Sequence, residues 1–254
     1  MIQRPISLFR QDAKKEYMEE ALHACYENIA FSTFPYLSYH LSHSSHTLDD
    51  FHSGNCIAMT TFLKRFLLSN HKILTFIVPA TVPSIFRVQG TPDICHVSLL
   101  IPLTETSYYI LDPAFYFLEP LYVDVKNPQP YLVDSMNIHK QVHETIVGQY
   151  DGVRCVCFFE ESPLDIWGYE TYEVLDPDES IGIHFLTHKP EPFLCKTTMI
   201  DGVPYKDYHI KMEQGQLIFI QDHVQVYRGP SEQLHEELKE IINRQLFKYL
   251  RPIR

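Results

Sequence analysis

The chain has 254 residues, 45% of them hydrophobic and 21% charged, a composition that can build one large domain or a few smaller lobes. Its 21 Lys and Arg stand against 32 Asp and Glu, a net charge of −11. That balance excludes a general binder of nucleic acid or anionic membrane, which needs a basic surface, but leaves room for a local basic pocket. No apolar run reaches the roughly 18 residues of a spanning helix. Residues 1–10 lack an apolar core followed by a small-residue cleavage site, so no signal peptide is expected. Six cysteines, Cys25, Cys56, Cys95, Cys155, Cys157 and Cys195, show no framework spacing. Reduced thiols in a cytoplasmic protein are the expectation.

Along the chain, Gln11 to Ile29 predicts an amphipathic helix, with Tyr17, Met18, Leu22, Cys25 and Ile29 on one stripe. Ser38 to His52 is rich in Ser and His and reads as a loop or short helix. Cys56 to Leu68 places Met59, Phe62, Leu63, Phe66 and Leu67 at helical spacing, with Lys64 and Arg65 facing out. Asn55 is a favourable N-cap directly before it, and Asn70 a stop signal. From Ile73 the pattern turns to strands: Ile73 to Val78, Ile94 to Ile101 and Ser107 to Leu111. A Pro-containing connection follows to about Tyr131. Further strands are expected over Val153 to Phe159, Tyr169 to Leu175, Tyr208 to Met212, Gln216 to Ile220 and Val224 to Tyr227. Val203-Pro204 and Gln214-Gly215 read as turns. Ser231 to Tyr249 predicts a closing helix capped by Ser231. Helices, then mixed strands, then a helix define an α+β class.

Cys56, His96 and Asp112 are the candidate catalytic residues. A thiol at a helix start gains thiolate character from the partial positive charge and N–H groups there. The strands flanking Pro102 to Thr106 fold back around Thr104 if opposed residues sum to 208, which sets His96 opposite Asp112. A carboxylate there orients an imidazole, and the imidazole activates the thiol. Taken singly, each of these residue types is most often structural, and Asp-Pro is an ordinary turn signal.

The stretch resembles the transglutaminase-like (papain-like) cysteine superfamily and, within it, most closely the arylamine N-acetyltransferases. That family also orders Cys, His and Asp on a helix start and two adjacent strands. Phe34-Pro35-Tyr36-Leu37 upstream, Phe115 after Asp112, and Tyr172-Glu173-Val174-Leu175-Asp176-Pro177 and His188-Lys189-Pro190-Glu191-Pro192-Phe193 downstream extend the likeness, as does Gly215-Gln216-Leu217. The resemblance implies a helical N-terminal bundle, a central antiparallel β-barrel and a C-terminal α/β lobe, with boundaries at 1–72, 73–175 and 176–254. The triad would lie in the cleft between the first two. It also implies acetyl-CoA or another acyl-CoA as co-substrate, a small-molecule amine as acceptor and no permanently bound cofactor. Departures are His52, Ser53 and Gly54 where the family has Arg-Gly-Gly, Ala58 and Thr60 where it has Glu and Asn, and Ala114 and Tyr116 where it has glycines. Asp112-Pro113 is closer to the transglutaminase and peptidase branches.

His40, His43 and His46 are spaced by three and followed by His52, a pattern that on a helix could hold a transition metal. No cysteine or acidic pair completes a zinc signature, so a solvated loop is expected and no metal. Cys155 and Cys157 read as buried thiols on one strand face, and Cys95 as core. Trp167 either shapes a pocket or packs. With nine glycines, nothing approaches a phosphate-binding or dinucleotide fingerprint.

The function expected is a thiol-dependent acyltransferase working by double displacement. His96 takes the Cys56 proton or holds it as an imidazolium, Asp112 orients His96, and backbone N–H groups at the helix start stabilise the oxyanion. Two alternatives stand beside it: a transglutaminase-like amidase or peptidase with the same triad, and a binding protein that has kept the fold and lost the activity.

Overall fold

The computed structural model of the protein describes residues 12–38, 40–41, 43–81, 94–104, 107–115, 119–124, 192–201, 203–222 and 224–230, together with 233, 236, 239 and 240. Four helices come first, α1 (Lys15–Asn28), α2 (Phe34–Leu37), α3 (Ser44–Phe51) and α4 (Cys56–His71), with short strands β1 (Ala30–Ser32) and β2 (Ser53–Gly54) between them. Then follow β3 (Phe76–Thr81), β4 (Ile94–Pro102), β5 (Ser107–Leu111) and β6 (Leu121–Asp124), with a 3-10 turn at Pro113–Phe115. The last strands are β7 (Phe193–Ile200), β8 (Val203–Glu213), β9 (Gln216–Gln221) and β10 (Val224–Gly229).

The predicted stripe of α1 is buried at Met18, Leu22 and Cys25, joined by Ala21 and Tyr26. α4 buries Ile57, Met59, Leu63 and Leu67. These two helices pack together and, with Ile77 of β3, Val97, Leu99 and Ile101 of β4 and Leu111 of β5, form one continuous apolar core. A second core gathers Phe34 with Leu194, Tyr208, Ile210, Leu217 and Phe219.

The expected central barrel is not found. Among the described residues both sheets are open: a six-stranded sheet ordered β10-β9-β8-β7-β1-β2 and a four-stranded sheet ordered β3-β4-β5-β6. Four antiparallel strands are too few to curl shut around a filled interior. The larger sheet is antiparallel except for the parallel pair β1 and β2. Its C-terminal strands join it through β7, which pairs directly with β1, Phe31 opposite Cys195.

Several local expectations are displaced. Val203-Pro204 is not a turn; it begins β8, paired with Met199 and Ile200 of β7. The turn lies just before, at Asp201, whose φ of 51° is left-handed. Gln214-Gly215 is the expected turn, with both residues at positive φ (51° and 74°), as a two-residue hairpin with the sheet's twist requires. Within Ser38 to His52 the helix is α3, which takes in only His46 of the four histidines; His52 closes it in the left-handed conformation. Of the closing helix, only Gln233, Glu236, Lys239 and Glu240 are described, and the last three are helical. The expected strands over 153–159 and 169–175, with Cys155, Cys157 and Trp167, lie outside the described residues.

Candidate active site

Cys56 is the first residue of α4, as the sequence predicts. Asn55 caps the helix: its Oδ1 accepts from the backbone N–H groups of Ile57 (3.0 Å) and Ala58 (3.3 Å). Such a cap stabilises by about 1 kcal/mol. The cap is itself held by a buried polar network. Ser44 Oγ donates to Asn55 Oδ1 at 2.9 Å, the Asn55 backbone N–H donates to Tyr36 Oη at 3.2 Å, and Tyr36 Oη lies 2.7 Å from Ser44 Oγ and 3.1 Å from Thr47 Oγ1. Three short elements thus converge under the thiol: α2 brings Tyr36, α3 brings Ser44 and Thr47, and β2 feeds straight into α4. Sequence reading missed this network, although Tyr36 stood in the quoted Phe34-Pro35-Tyr36-Leu37 segment.

Gly54 is where these elements come closest. A Cβ built there would lie 2.4 Å from Ala58 Cβ, 2.6 Å from Thr47 Oγ1 and 2.9 Å from Tyr36 Oη. No side chain fits that space, so the glycine lets β2 run beneath the helix it precedes.

Asp112 follows β5 and has no exposed surface. The hairpin register differs from the predicted one: Leu99 opposes Leu111 and Pro102 opposes Tyr108, sums of 210. The midpoint of the pairing is therefore shifted by one residue from the predicted one. The loop is closed by Leu103 N–H and Thr104 N–H donating to the Ser107 carbonyl at 3.0 Å each, with Thr104 Oγ1 2.7 Å from Ser107 Oγ. In consequence Asp112 falls opposite Ser98, not His96, and Ser98 Oγ donates to Asp112 Oδ2 at 2.8 Å. Position 96 is two residues earlier in β4, opposite Ala80 of β3. Strand alternation assigns Ser98 to one face and Val97, Leu99 and Ile101 to the other.

α4 packs against β4 and against the 3-10 turn that follows Asp112. Cys56 shares the buried cluster with Val97, Leu99 and Leu111, and Ala114 packs against it. α4 and the β4–β5 hairpin are therefore neighbours, and Cys56 belongs to the apolar cluster that Val97, Leu99 and Leu111 form. Cys56 has no exposed surface.

Tyr26 and Cys25 of α1 line the same interior. Burial raises the Tyr26 phenol well above its ordinary 10.0, and neighbouring Cys25 and Asp112 add to the shift. Burial likewise pushes the Cys25 thiol far above 9.0, slightly offset by Lys196. Both are neutral packing groups, and neither is a candidate nucleophile. Among the described residues no group of three His, Cys, Asp or Glu side chains is arranged to hold a metal ion; the His43 and His46 rings meet edge-on at 5.6 Å. No helix among the described residues is long and apolar enough to cross a membrane.

The described geometry is thus a buried thiol at the start of a capped helix, in a helix that packs against β4, with a buried carboxylate just after β5. Neither a family model nor a curated protein matches the chain. Solved structures do. Arylamine N-acetyltransferase C from Bacillus anthracis is 12% identical with a TM-score of 0.46, covering 94% of this chain and 93% of that one. The arylamine N-acetyltransferase of Salmonella typhimurium is 11% identical with a TM-score of 0.47, over 96% and 86%. That of Mycobacterium marinum, solved in complex with CoA, is 13% identical with a TM-score of 0.43, over 96% and 92%. At such identities and scores the likeness fixes neither fold nor chemistry.

Proposed function

We propose that the protein is a thiol-dependent acyltransferase in which Cys56, His96 and Asp112 act together. The observation that supports this reading is that Cys56 is the first residue of a capped helix, α4, which packs against β4 and against the turn that follows Asp112. In the reaction His96 takes the Cys56 proton and the thiolate attacks the carbonyl of an acyl thioester, for which acyl-CoA is the donor implied by the sequence resemblance. The donor's C–S bond breaks and its thiol leaves with the proton from His96. An amine then attacks the acyl-cysteine and releases the thiol. Asp112, held by Ser98, orients His96 from a position diagonal to it across the hairpin.

Release of free CoA from acetyl-CoA, followed by thiol titration in the presence of an arylamine, tests the reading. Wild type turns over, and Cys56→Ala is inert. Asp112→Asn, which keeps the shape but not the charge, falls by about 10²-fold or more, as expected for a group that sets a catalytic imidazole's orientation. Turnover that survives Cys56→Ala defeats the proposal. A second reading, a binding protein on this scaffold, is favoured by one feature: Cys56 presents no surface to solvent. It predicts no turnover and a thiol inert to iodoacetamide at neutral pH.

A further inference from the structure

Two buried polar atoms without partners belong to residues close to Cys56 in the chain, one directly before it and one a helical turn after it. Asn55 and Thr60 both have no exposed surface, and Asn55 Nδ2 and Thr60 Oγ1 make no hydrogen bond. Elsewhere the same network is well satisfied. Asn55 Oδ1 receives three donors, from Ser44 Oγ and the N–H groups of Ile57 and Ala58, which settles which end of the amide is oxygen. Its NH2 group, one amide width away, carries two donors with nothing to accept them.

Thr60 is one helical turn further on in α4. Residues four apart on a helix have Cβ atoms about 5–6 Å apart, and each Cα–Cβ bond tilts towards the helix start. The Thr60 side chain therefore leans over the turn that carries Cys56. A helical threonine usually donates to the carbonyl four residues back, here that of Cys56, and Thr60 does not.

A buried donor with no acceptor is costly, and natural interiors fill such places with water or ligand oxygen. The position of these two, beside a candidate nucleophile, says what kind of oxygen fits. The helix-start N–H groups expected from the sequence to meet an oxyanion are partly committed, since those of Ile57 and Ala58 donate to Asn55 Oδ1. We propose that Asn55 Nδ2–H and the Thr60 hydroxyl are the side-chain donors for the carbonyl oxygen of the acyl group transferred to Cys56. This rests on Cys56 being acylated. As the thiolate sulfur bonds to the carbonyl carbon, the C=O π electrons move onto oxygen, and these donors bind the resulting oxyanion. The electrons return as the donor's C–S bond breaks and its thiolate leaves to take the proton from His96. Both residues then touch the reacting group, Asn55 with its NH2 while its oxygen caps the helix.

The test compares two reactions of the same sulfur: acylation by acetyl-CoA, which builds an oxyanion, and alkylation by iodoacetamide, which builds none. Thr60→Val removes the hydroxyl at constant shape, and Asn55→Ser keeps a capping oxygen while removing the NH2. Each variant slows acylation by about 10²-fold, the loss seen when one oxyanion donor is removed, and leaves alkylation within about twofold. Thr60→Val also unfolds at an unchanged or higher urea concentration, because the hydroxyl has no partner in the fold to lose. Acylation and alkylation slowing together, or acylation unchanged in both variants, overturns the proposal while leaving Cys56 as nucleophile. A wild-type protein that alkylates at Cys56 but never acylates overturns the underlying reading as well.

Discussion

Gly54 and Asn55 decide how Cys56 enters its helix, one by having no side chain and the other by having the right one. Gly54→Ala would drive a methyl against Ala58, Thr47 and Tyr36, two of them members of the network beneath the cap. Overpacking of this kind costs about 1–3 kcal/mol, read as a lower urea midpoint at unchanged slope. The alkaline limit is also set by single residues. Cys25 and Tyr26 are held neutral in the fold, both raised above their ordinary 9.0 and 10.0 mainly by burial. Unfolded, they ionise from about pH 9 upward, so the unfolded chain then binds fewer protons than the native one. Stability is therefore full below about pH 9 and falls above it, approaching about 1.4 kcal/mol per pH unit for each group. Urea midpoints between pH 8 and 11 should show that decline, and Cys25→Ala should make it shallower; a flat profile would contradict it. At this scale the sequence was informative about Cys56 and its Asn55 cap, since both signals are local. Ser98 was not legible as the partner of Asp112, because that pairing depends on a register no local pattern encodes.

The hairpin makes the same point for whole elements. Both strands were readable from their β-branched and aromatic residues, and β5 falls at the predicted Ser107–Leu111. The turn was not: Leu103 and Thr104 both donate to the Ser107 carbonyl, which moves its centre by one residue and every opposed pair by two. β1 and β2, of three and two residues, are too short to carry a period of two, and they form through partners far off in sequence. One such long-range partner ends α1. No basic residue lies in its last turn, and Lys196 of β7 supplies the missing cation. Its buried Nζ donates to the carbonyls of Tyr26 (2.8 Å) and Glu27 (3.0 Å) and to that of Thr197. Lys196→Met keeps the packing volume but removes the charged donor, leaving the Tyr26 carbonyl only Thr197 Oγ1 at 3.1 Å, and should cost about 2–3 kcal/mol. Lost far-UV helicity and earlier hydrogen exchange at 25–28 would check it; unchanged protection there would refute the capping role.

Across the molecule, the arrangement joins distant parts of the chain to hold one turn of helix. β7 pairs with β1, β1 pairs with β2, and β2 leads directly into Cys56, so residues 193–200 help set the position of residue 56. Sequence patterns revealed α1, α4 and the strands β3, β4, β5, β8, β9 and β10, but none of the three strands of this connection. They could not reveal that the sheets stay open, because closure depends on strand number and tilt. Nor could they show β7 crossing back to the N-terminal region, since pairing between segments some 160 residues apart leaves no trace in either one. What the assembled structure presents is a buried thiol at a capped helix start, in a helix packed against β4, and the central claim is that this thiol accepts an acyl group. Intact-mass analysis after incubation with acetyl-CoA without acceptor tests it most directly. The account predicts that wild type gains the mass of one acetyl group, mapped to Cys56 and removed by an added arylamine, while Cys56→Ala gains none. An unmodified wild-type mass, or an acetyl group retained by Cys56→Ala, would contradict it.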